Sequence, residues 1–435
     1  MLKNLGVRWI LPLGLVGLLL GALQAQDKKG FDTVDIAKVD QAIRAGVEYL
    51  KITPSPASHH EIAHTDELVL LTLVEARVPD EDPLIQKMLA AMLQAPLERT
   101  YKVVLQAMVL EELDRVKYQD RLWQCAQFLV DNQCQNGQWG YGEPTSAANN
   151  IPTLATKKAV ATKGPRPLTP PVTPEVLAAM ARGERIKPKP LKTMPVEKTK
   201  DGPAGGDNSN SQYAALGLRA CHDAGIKIPE KVITLARKWW YDTQHPGPDD
   251  GKKDDGKKKP DAKPAVATGK GDAPLPPAPP RGWCYGDVYG VCKGGPEYAS
   301  MTAGAVGAIA IFEYILGKNG KRNEHVRSGV AWLAAHWSVT ENQGPSEVEG
   351  GVPNAYLYYY LYALERLGML LDVGEIGGHL WYPEGAAYLL GAQQKDGSWK
   401  GSRPEIPVWD TCFAILFLKR ATRGLVASGD VSARK

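Results

Sequence analysis

The sequence lacks a strong excess of either charge and most of the short motifs that identify metal, redox or thioester sites. Its net charge is only +4 at pH 7 over 435 residues, and it has no zinc-finger spacing or basic helix, so nucleic-acid binding is not expected. None of its six cysteines forms a CxxC pair, which excludes zinc-ribbon and thioredoxin-like redox sites. A Cys-Gly-Glu-Gln thioester run is absent, and no local motif indicates a Ser/His/Asp triad or a phosphate-binding glycine loop. The remaining balance, with 43% hydrophobic and 23% charged residues, is typical of a globular protein with a sizeable core.

A single long apolar run stands near the N-terminus. Lys3 and Arg8 form a short positive region, the run continues from there to Ala22, and a small residue suited to cleavage follows at Ala25. This order is typical of a secretory signal peptide, which we predict at residues 1–25. The run is shorter than the ~20 residues of a spanning helix. We therefore expect export to the periplasm or the extracellular space, and retention as an N-terminal anchor is the alternative.

Export permits disulfide bonds. Cys284 and Cys292 flank a loop that contains glycine and tyrosine, and we predict that they pair. The other four cysteines lie in apolar helical stretches, where a cysteine commonly acts as a small buried hydrophobic residue. They are Cys125, Cys134, Cys221 and Cys412.

Two segments have the composition of disordered insertions. Residues 143–206 are rich in proline, threonine, alanine and lysine, and residues 245–281 are rich in charge and proline. Neither segment has enough apolar residues to offset the entropy lost on ordering. Both interrupt a single domain that is predicted over residues 30–425.

The domain reads as two alternating types of helix. One type is amphipathic and carries a small-x-x-aromatic-Leu signature, as in 46–50, 125–129, 329–333 and 385–389. Each such helix precedes one that is apolar nearly all round and therefore buried, as in 211–225, 302–316, 354–368 and 410–422. Six of each are predicted, giving six helical hairpins. Periodicity alone permits an open solenoid or a closed ring.

Two motifs have identical spacing, and the choice between these architectures rests on what they resemble. Gln133-x3-Gly137-x-Trp139 follows Phe128-Leu129, and Gln393-x3-Gly397-x-Trp399 follows Tyr388-Leu389. Gln244 begins a third copy that Gly282-Trp283 completes after the second insertion. These motifs resemble the QW repeats of squalene cyclases and the related repeats of protein prenyltransferase β subunits. The resemblance implies an all-α fold, an (α/α)6 toroid of six hairpins with two low-complexity insertions, and it identifies a fold more than a chemistry.

The same resemblance defines one enzymatic alternative, an isoprenoid-type enzyme. Terpene cyclases use an Asp-x-Asp-Asp acid, and only its last aspartate is present here, at Asp410. Prenyltransferase β subunits hold zinc with an Asp-x-Cys and a histidine. Asp410, Cys412 and His64 would converge if the sixth hairpin neighboured the first, although Asp410 can equally cap its own helix.

Paired carboxylates support a second alternative, an enzyme that acts on polysaccharides. The candidate acids lie in loops that lead into buried helices, where they could share one mouth. They are Asp207, Asp287, Glu297 and Asp410.

A polar and aromatic cluster supports a non-catalytic reading. Residues 206–213 place several polar side chains before a buried helix, and capping requires only one or two of them. We predict an aromatic pocket with an amide-rich rim, formed by Asn208, Asn210, Gln212, Tyr213, Tyr285, Tyr298, Tyr356, Tyr359 and Tyr360. The leading prediction is an exported binding or scaffold protein for an apolar ligand or a protein partner, with no cofactor; zinc is the only metal that the residues suggest.

Overall fold

The computed structural model describes seven stretches of the chain. They are 34–53, 65–152, 185–246 without 186 and 191, 277–286, 297–344, 354–402 without 355, and 407–425. These residues form twelve α-helices, two short 3₁₀ turns and one two-stranded sheet. The predicted all-α class is confirmed.

The twelve helices are numbered in chain order. They are α1 (Ile36–Ile52), α2 (Thr65–Glu75), α3 (Pro83–Gln94), α4 (Thr100–Asp114), α5 (Gln119–Asp131), α6 (Asn208–Asp223), α7 (Glu230–Asp242), α8 (Ala299–Ile315), α9 (Glu324–Ala335), α10 (Leu357–Leu370), α11 (Trp381–Ala392) and α12 (Pro407–Lys419). The 3₁₀ turns are Ser146–Asn149 and Gly320–Arg322, and strands β1 (Met194–Pro195) and β2 (Ile226–Lys227) pair in parallel.

Burial alternates along this order. In α7 the buried residues are Val232, Ile233, Ala236 and Trp240, which form one stripe of an amphipathic helix. In α8, every residue from Ala299 to Glu313 is buried. The predicted alternation of amphipathic and buried helices is therefore seen in the described helices.

The even-numbered helices pack against one another in chain order. Helix α2 contacts α4, α4 contacts α6, α6 contacts α8, α8 contacts α10 and α10 contacts α12, while α12 also contacts α2. The odd-numbered helices, which we call the outer helices, lie against these. Helix α5, for example, contacts α4 and α6, and α9 contacts α8. Helix α11 also contacts α1, so the last hairpin touches the first.

The tryptophan of each motif is held by its own hairpin. Its indole N–H donates to a backbone carbonyl near the end of the preceding outer helix, which satisfies a carbonyl that the helix end leaves without a partner. The three bonds join Trp139 Nε1 to Leu129 O (2.7 Å), Trp283 Nε1 to Trp240 O (2.8 Å) and Trp399 Nε1 to Leu389 O (2.8 Å).

The glutamine of each motif reaches the next outer helix instead. Its side-chain amide donates to a backbone carbonyl within that helix, and so links two hairpins. The links are Gln133 Nε2 to Val232 O in α7 (2.8 Å), Gln244 Nε2 to His325 O in α9 (3.0 Å) and Gln393 Nε2 to Ala42 O in α1 (2.8 Å).

The predicted insertions are narrower than the composition suggested. Met194 and Val196 are buried, and β1 pairs with β2 beside α6, so the prediction of disorder is wrong for this end of 143–206. Arg185 also binds Asp80 through two N–H···O bonds of 2.6 and 2.7 Å. The described ends 245–246 and 277–281 of the second insertion are likewise placed, since the N–H of Arg281 donates to Ser328 O. Residues 153–184 and 247–276 lie outside the described residues, as does the predicted signal peptide 1–25.

Among the helices that the structure describes, none has both the length and the apolar character needed to cross a membrane.

The contact between the last and first hairpins can be tested at Gly397. This residue has φ +86°, and a Cβ there would lie 2.4 Å from the carbonyl oxygen of Ala45 in α1. We expect Gly397→Ala to lower the free energy of unfolding by about 2 kcal/mol or more, because it adds backbone strain and forces α1 and the turn apart. Urea denaturation measures the change.

Gly391→Ala is the matched control, because Gly391 lies in α11 with no atom within 4 Å of the added methyl group. It should leave stability unchanged or raise it by about 0.5 kcal/mol. Equal effects of the two substitutions would show that the contact between the turn and α1 contributes nothing.

Candidate functional site

Three hydroxyl groups meet where α4, α6 and α10 begin. Tyr101 Oη contacts Ser209 Oγ at 2.5 Å, Ser209 Oγ lies 2.9 Å from Tyr359 Oη, and the two tyrosine oxygens are 3.4 Å apart. All three side chains are partly exposed. We call these residues the hydroxyl cluster, and the end of the helix array at which they lie the mouth.

Aromatic side chains pack against the tyrosines of the hydroxyl cluster. The ring of Tyr213 lies 4.4 Å from that of Tyr101 and is stacked on Tyr359 at 6.0 Å between centroids. Phe413 of α12 lies 5.7 Å from Tyr359 and 5.8 Å from Tyr362. These rings come from four of the buried helices, so their packing joins α4, α6, α10 and α12 across the interior.

Asp207 is the N-cap of α6. Its carboxylate accepts the backbone N–H and the side-chain amide of Asn210, both at 2.7 Å, and a hydrogen bond from Tyr285. Burial raises the pKa of Asp207, and these hydrogen bonds oppose the rise. The predicted catalytic acid is thus engaged in ordering the start of its own helix.

Asn208 is completely buried and joins three parts of the chain. Its Oδ1 accepts from Trp239 Nε1 (2.8 Å) and Gln138 Nε2 (3.1 Å), and its Nδ2 donates to the carbonyl of Cys284 (3.0 Å). The predicted rim position for Asn208 is therefore wrong. Asn210 and Gln212 are also buried, which removes the amide rim from the mouth.

The predicted tyrosines separate into two groups. Tyr285 and Tyr359 are partly exposed at the mouth, and their hydroxyl groups interact with Asp207 and Ser209 respectively. Tyr298 is buried, and Tyr360 is buried with its hydroxyl donating to Ser338 O at 2.9 Å, so both are core residues. Tyr356 is partly exposed and adopts a left-handed backbone conformation at the start of α10, whereas Tyr213 belongs with the buried group.

Arg366 is a site residue that the sequence analysis missed. It is 3% exposed, with its guanidinium carbon 4.4 Å from the ring centroid of Tyr362 and 5.2 Å from that of Tyr213. Its Nη2 donates to Gln212 Oε1 at 2.8 Å. The available signal was the pair Glu365-Arg366 inside an otherwise apolar helix, because a charged residue is rarely buried without a specific partner.

Asp410 and Cys412 make no metal site with the described residues. Asp410 Oδ2 accepts the backbone N–H of Gly401 at 2.7 Å, and burial raises the pKa of the Cys412 thiol to about 12. Since α12 begins at Pro407, Asp410 lies inside the first turn and not at the N-cap position that the sequence suggested. No group of three His, Cys, Asp or Glu side chains suited to a metal is found among the residues described. His64 lies outside them.

Of the two remaining acidic candidates, the structure describes one. Glu297 is partly exposed, with its Oε1 3.6 Å from His245 Nδ1. Asp287 lies outside the described residues.

Cys284 is disulfide-bonded, whereas the cysteines at 125, 134, 221 and 412 are free and buried. The buried role predicted for those four is confirmed. Cys292, the predicted partner of Cys284, lies outside the described residues, and the pairing stays a prediction.

No family model matches the chain, and a search of the curated proteins finds no relative. The function is therefore argued from geometry.

Metal content distinguishes a zinc enzyme from a structural role of Cys412. A zinc-bound cysteine must be a thiolate, and burial of Cys412 favours the thiol. We expect purified protein to carry no stoichiometric zinc and Cys412→Ala to lower stability slightly without changing metal content, as measured by elemental analysis. Stoichiometric zinc that is lost in the variant would contradict this expectation.

Glu365 predicts a pH dependence of stability. Burial raises its pKa from 4.5 to about 7, against hydrogen bonds from the backbone and hydroxyl groups of Thr422. Because the folded-state pKa is raised, the associated stability is present below about pH 4.5 and is lost as the pH rises to about 7. Glu365→Gln should therefore gain stability relative to wild type, by on the order of 2–3 kcal/mol, between pH 4.5 and pH 8.

Denaturant titrations of both proteins across this range measure the difference, in which the other buried acids cancel. A difference that is constant with pH would show that Glu365 titrates normally.

Proposed function

We propose that this chain is an exported (α/α)6 toroid that binds a protein partner at its mouth and catalyses no reaction. The observation that carries the proposal is the state of the side chains at the mouth. The candidate acids Asp207 and Asp410 accept hydrogen bonds from nearby backbone N–H groups, while the hydroxyl cluster is partly exposed.

The closed ring is supported by the order of helix packing. Each buried helix contacts the next, and α12 contacts α2. The link from Gln393 to Ala42 repeats, between the last and first hairpins, the link that Gln133 and Gln244 make between consecutive ones. An open solenoid would leave its terminal hairpins without this contact. The arrangement is the one implied by the resemblance to squalene cyclases and prenyltransferase β subunits.

A binding role fits the interior better than isoprenoid chemistry. Tyr213 and Phe413 pack against tyrosine rings of α10 between the buried helices, Tyr213 against Tyr359 and Phe413 against Tyr362. The proposed partner surface is therefore the mouth. An isoprenoid-type enzyme and a polysaccharide-active enzyme remain without a supporting contact among the described residues.

A protein partner suits the chemistry of the mouth. Tyr101, Tyr285 and Tyr359 are partly exposed there, and tyrosine is enriched in protein interfaces because it combines a large ring and a hydroxyl group with few rotatable bonds. No cofactor is required. Export is supported by the disulfide at Cys284, because disulfides persist in oxidising compartments.

Site-specific crosslinking tests the location of binding. A photoreactive benzoylphenylalanine is introduced at Tyr359, and the full chain is mixed with the exported proteins of the source cells and irradiated. We expect one discrete adduct, identified by mass spectrometry, that excess wild-type protein suppresses. A competitor carrying Tyr101→Ala and Tyr359→Ala should suppress it at least tenfold less effectively.

Tyr118 is the matched control position, because it is also a partly exposed tyrosine but follows the C-terminal end of α4. It should give no competable adduct. Absence of an adduct at Tyr359, or formation of product from farnesyl diphosphate or squalene in a parallel assay, would overturn the proposal.

A further inference from the structure

Arg366 is a buried cation without a carboxylate partner among the described residues. Its guanidinium lies over the rings of Tyr213 and Tyr362, its Nη2 donates to the neutral amide of Gln212, and it also interacts with the hydroxyl group of Tyr213. Burying an unpaired charge costs several kcal/mol, and removing a partner from a buried pair has a similar cost. An anion bound next to the guanidinium would offset this cost.

Glu365 attracts the Arg366 guanidinium electrostatically but forms no ion pair with it. Glu365 precedes Arg366 in the sequence, but both of its oxygens accept hydrogen bonds from Thr422, at 2.9 and 2.7 Å. Arg366 also interacts electrostatically with Tyr213, Tyr359 and Tyr362. Their hydroxyl groups are neutral, because burial raises the pKa of each.

The hydrogen-bonded side chains of Arg366 and Gln212 each have a buried N–H donor without an acceptor. Arg366 Nη1 makes no hydrogen bond, and neither does Gln212 Nε2, although the two side chains are joined by the bond from Nη2 to Oε1. Tyr213 Oη interacts electrostatically with the guanidinium but makes no hydrogen bond of normal geometry. Buried donors of this kind are rare in folded proteins and require an acceptor.

The backbone of α8 leaves room for the Gln212 side chain at Gly304. A Cβ on Gly304 of α8 would lie 2.2 Å from Gln212 Oε1 and 2.7 Å from Nε2. The absence of a side chain at Gly304 therefore lets Gln212, on α6, pass α8 and reach Arg366 on α10. Gly307, one turn further along the same helix, has only a 3.3 Å contact with Leu370.

We propose that Arg366 and Gln212 form an internal binding site for a carboxylate, lined by the rings of Tyr213 and Tyr362. A guanidinium and an amide offer planar N–H donors that match the two oxygens of a carboxylate, and the rings suit an apolar group attached to it. The carboxylate belongs either to a small free acid or to the end of a larger chain. The site is separate from the proposed partner surface, and its test does not require partner binding.

Thermal unfolding of the full chain tests the site directly. The probes are acetate, benzoate and a short peptide with an aromatic C-terminal residue, each at constant ionic strength. Their neutral counterparts are acetamide, benzamide and the same peptide with an amidated C-terminus. We expect a saturable rise in Tm of about 3–5 °C at a hundredfold excess over Kd for at least one acid and not for its amide.

The ranking of the probes identifies the source of the carboxylate. A response to acetate or benzoate alone assigns a small free acid, whereas a response to the peptide alone assigns a chain terminus. No saturable response to any acid, or an equal response to chloride or phosphate, would overturn the proposal.

Three variants locate the effect. Gln212→Glu places a carboxylate on the chain itself, so it should raise the Tm without ligand and abolish the response to added acid. Gly304→Ala displaces Gln212 and should weaken the response at least tenfold in apparent Kd, whereas Gly307→Ala should retain it. An unchanged response in both Gln212→Glu and Gly304→Ala would place the bound acid elsewhere and overturn the assignment.

Discussion

Each motif glutamine, by donating to a backbone carbonyl of the following outer helix, sets the spacing on which the rest of the structure depends. Gln133, Gln244 and Gln393 make this bond to α7, α9 and α1. A carbonyl within a helix already accepts one intrahelical bond, and its second lone pair is free to accept another. The glutamine can therefore attach one hairpin to the next without disturbing either helix. Because a single hairpin cannot bury its apolar faces alone, this attachment and the packing of the buried helices support each other.

This arrangement constrains what the buried helices can carry. In α8 the residues from Ala299 to Glu313 are all buried, and Gly304 and Gly307 allow neighbouring side chains to approach its backbone closely. A polar residue in such a helix must find its partner on another helix of the set. Asn208 does so with Gln138 and Trp239. Arg366 does so only in part, since its Nη2 donates to Gln212 while its Nη1 makes no hydrogen bond.

The sequence predicted the helices well, because their pattern is local. The apolar pattern of each helix is read within that helix, and two of the three Gln-Gly-Trp motifs lie within seven residues, Gln133 to Trp139 and Gln393 to Trp399. The mouth could not be predicted in the same way. Tyr101, Ser209 and Tyr359 are more than a hundred residues apart from one another, and only the relative rotation of α4, α6 and α10 brings their hydroxyl groups together. The same rotation turns Asn208 inward, where a polar run beside a helix start had suggested an exposed rim.

The repeat also explains why Asp410 and Cys412 are an unsuitable guide to chemistry. The backbone N–H groups of the three motif tryptophans, Trp139, Trp283 and Trp399, donate to the hydroxyl groups of Ser211, Thr302 and Thr411. These three hydroxyl residues therefore occupy equivalent positions in α6, α8 and α12. In this register Cys412 corresponds to Gln212, and Phe413 corresponds to Tyr213. Equivalent backbone positions thus carry a buried thiol in one helix and an amide bound to Arg366 in the other. The difference arises from the residue on the facing helix, and a motif read along one helix does not contain it. Chemistry in a repeat of this kind is therefore to be sought where partners on separate helices depart from the shared pattern.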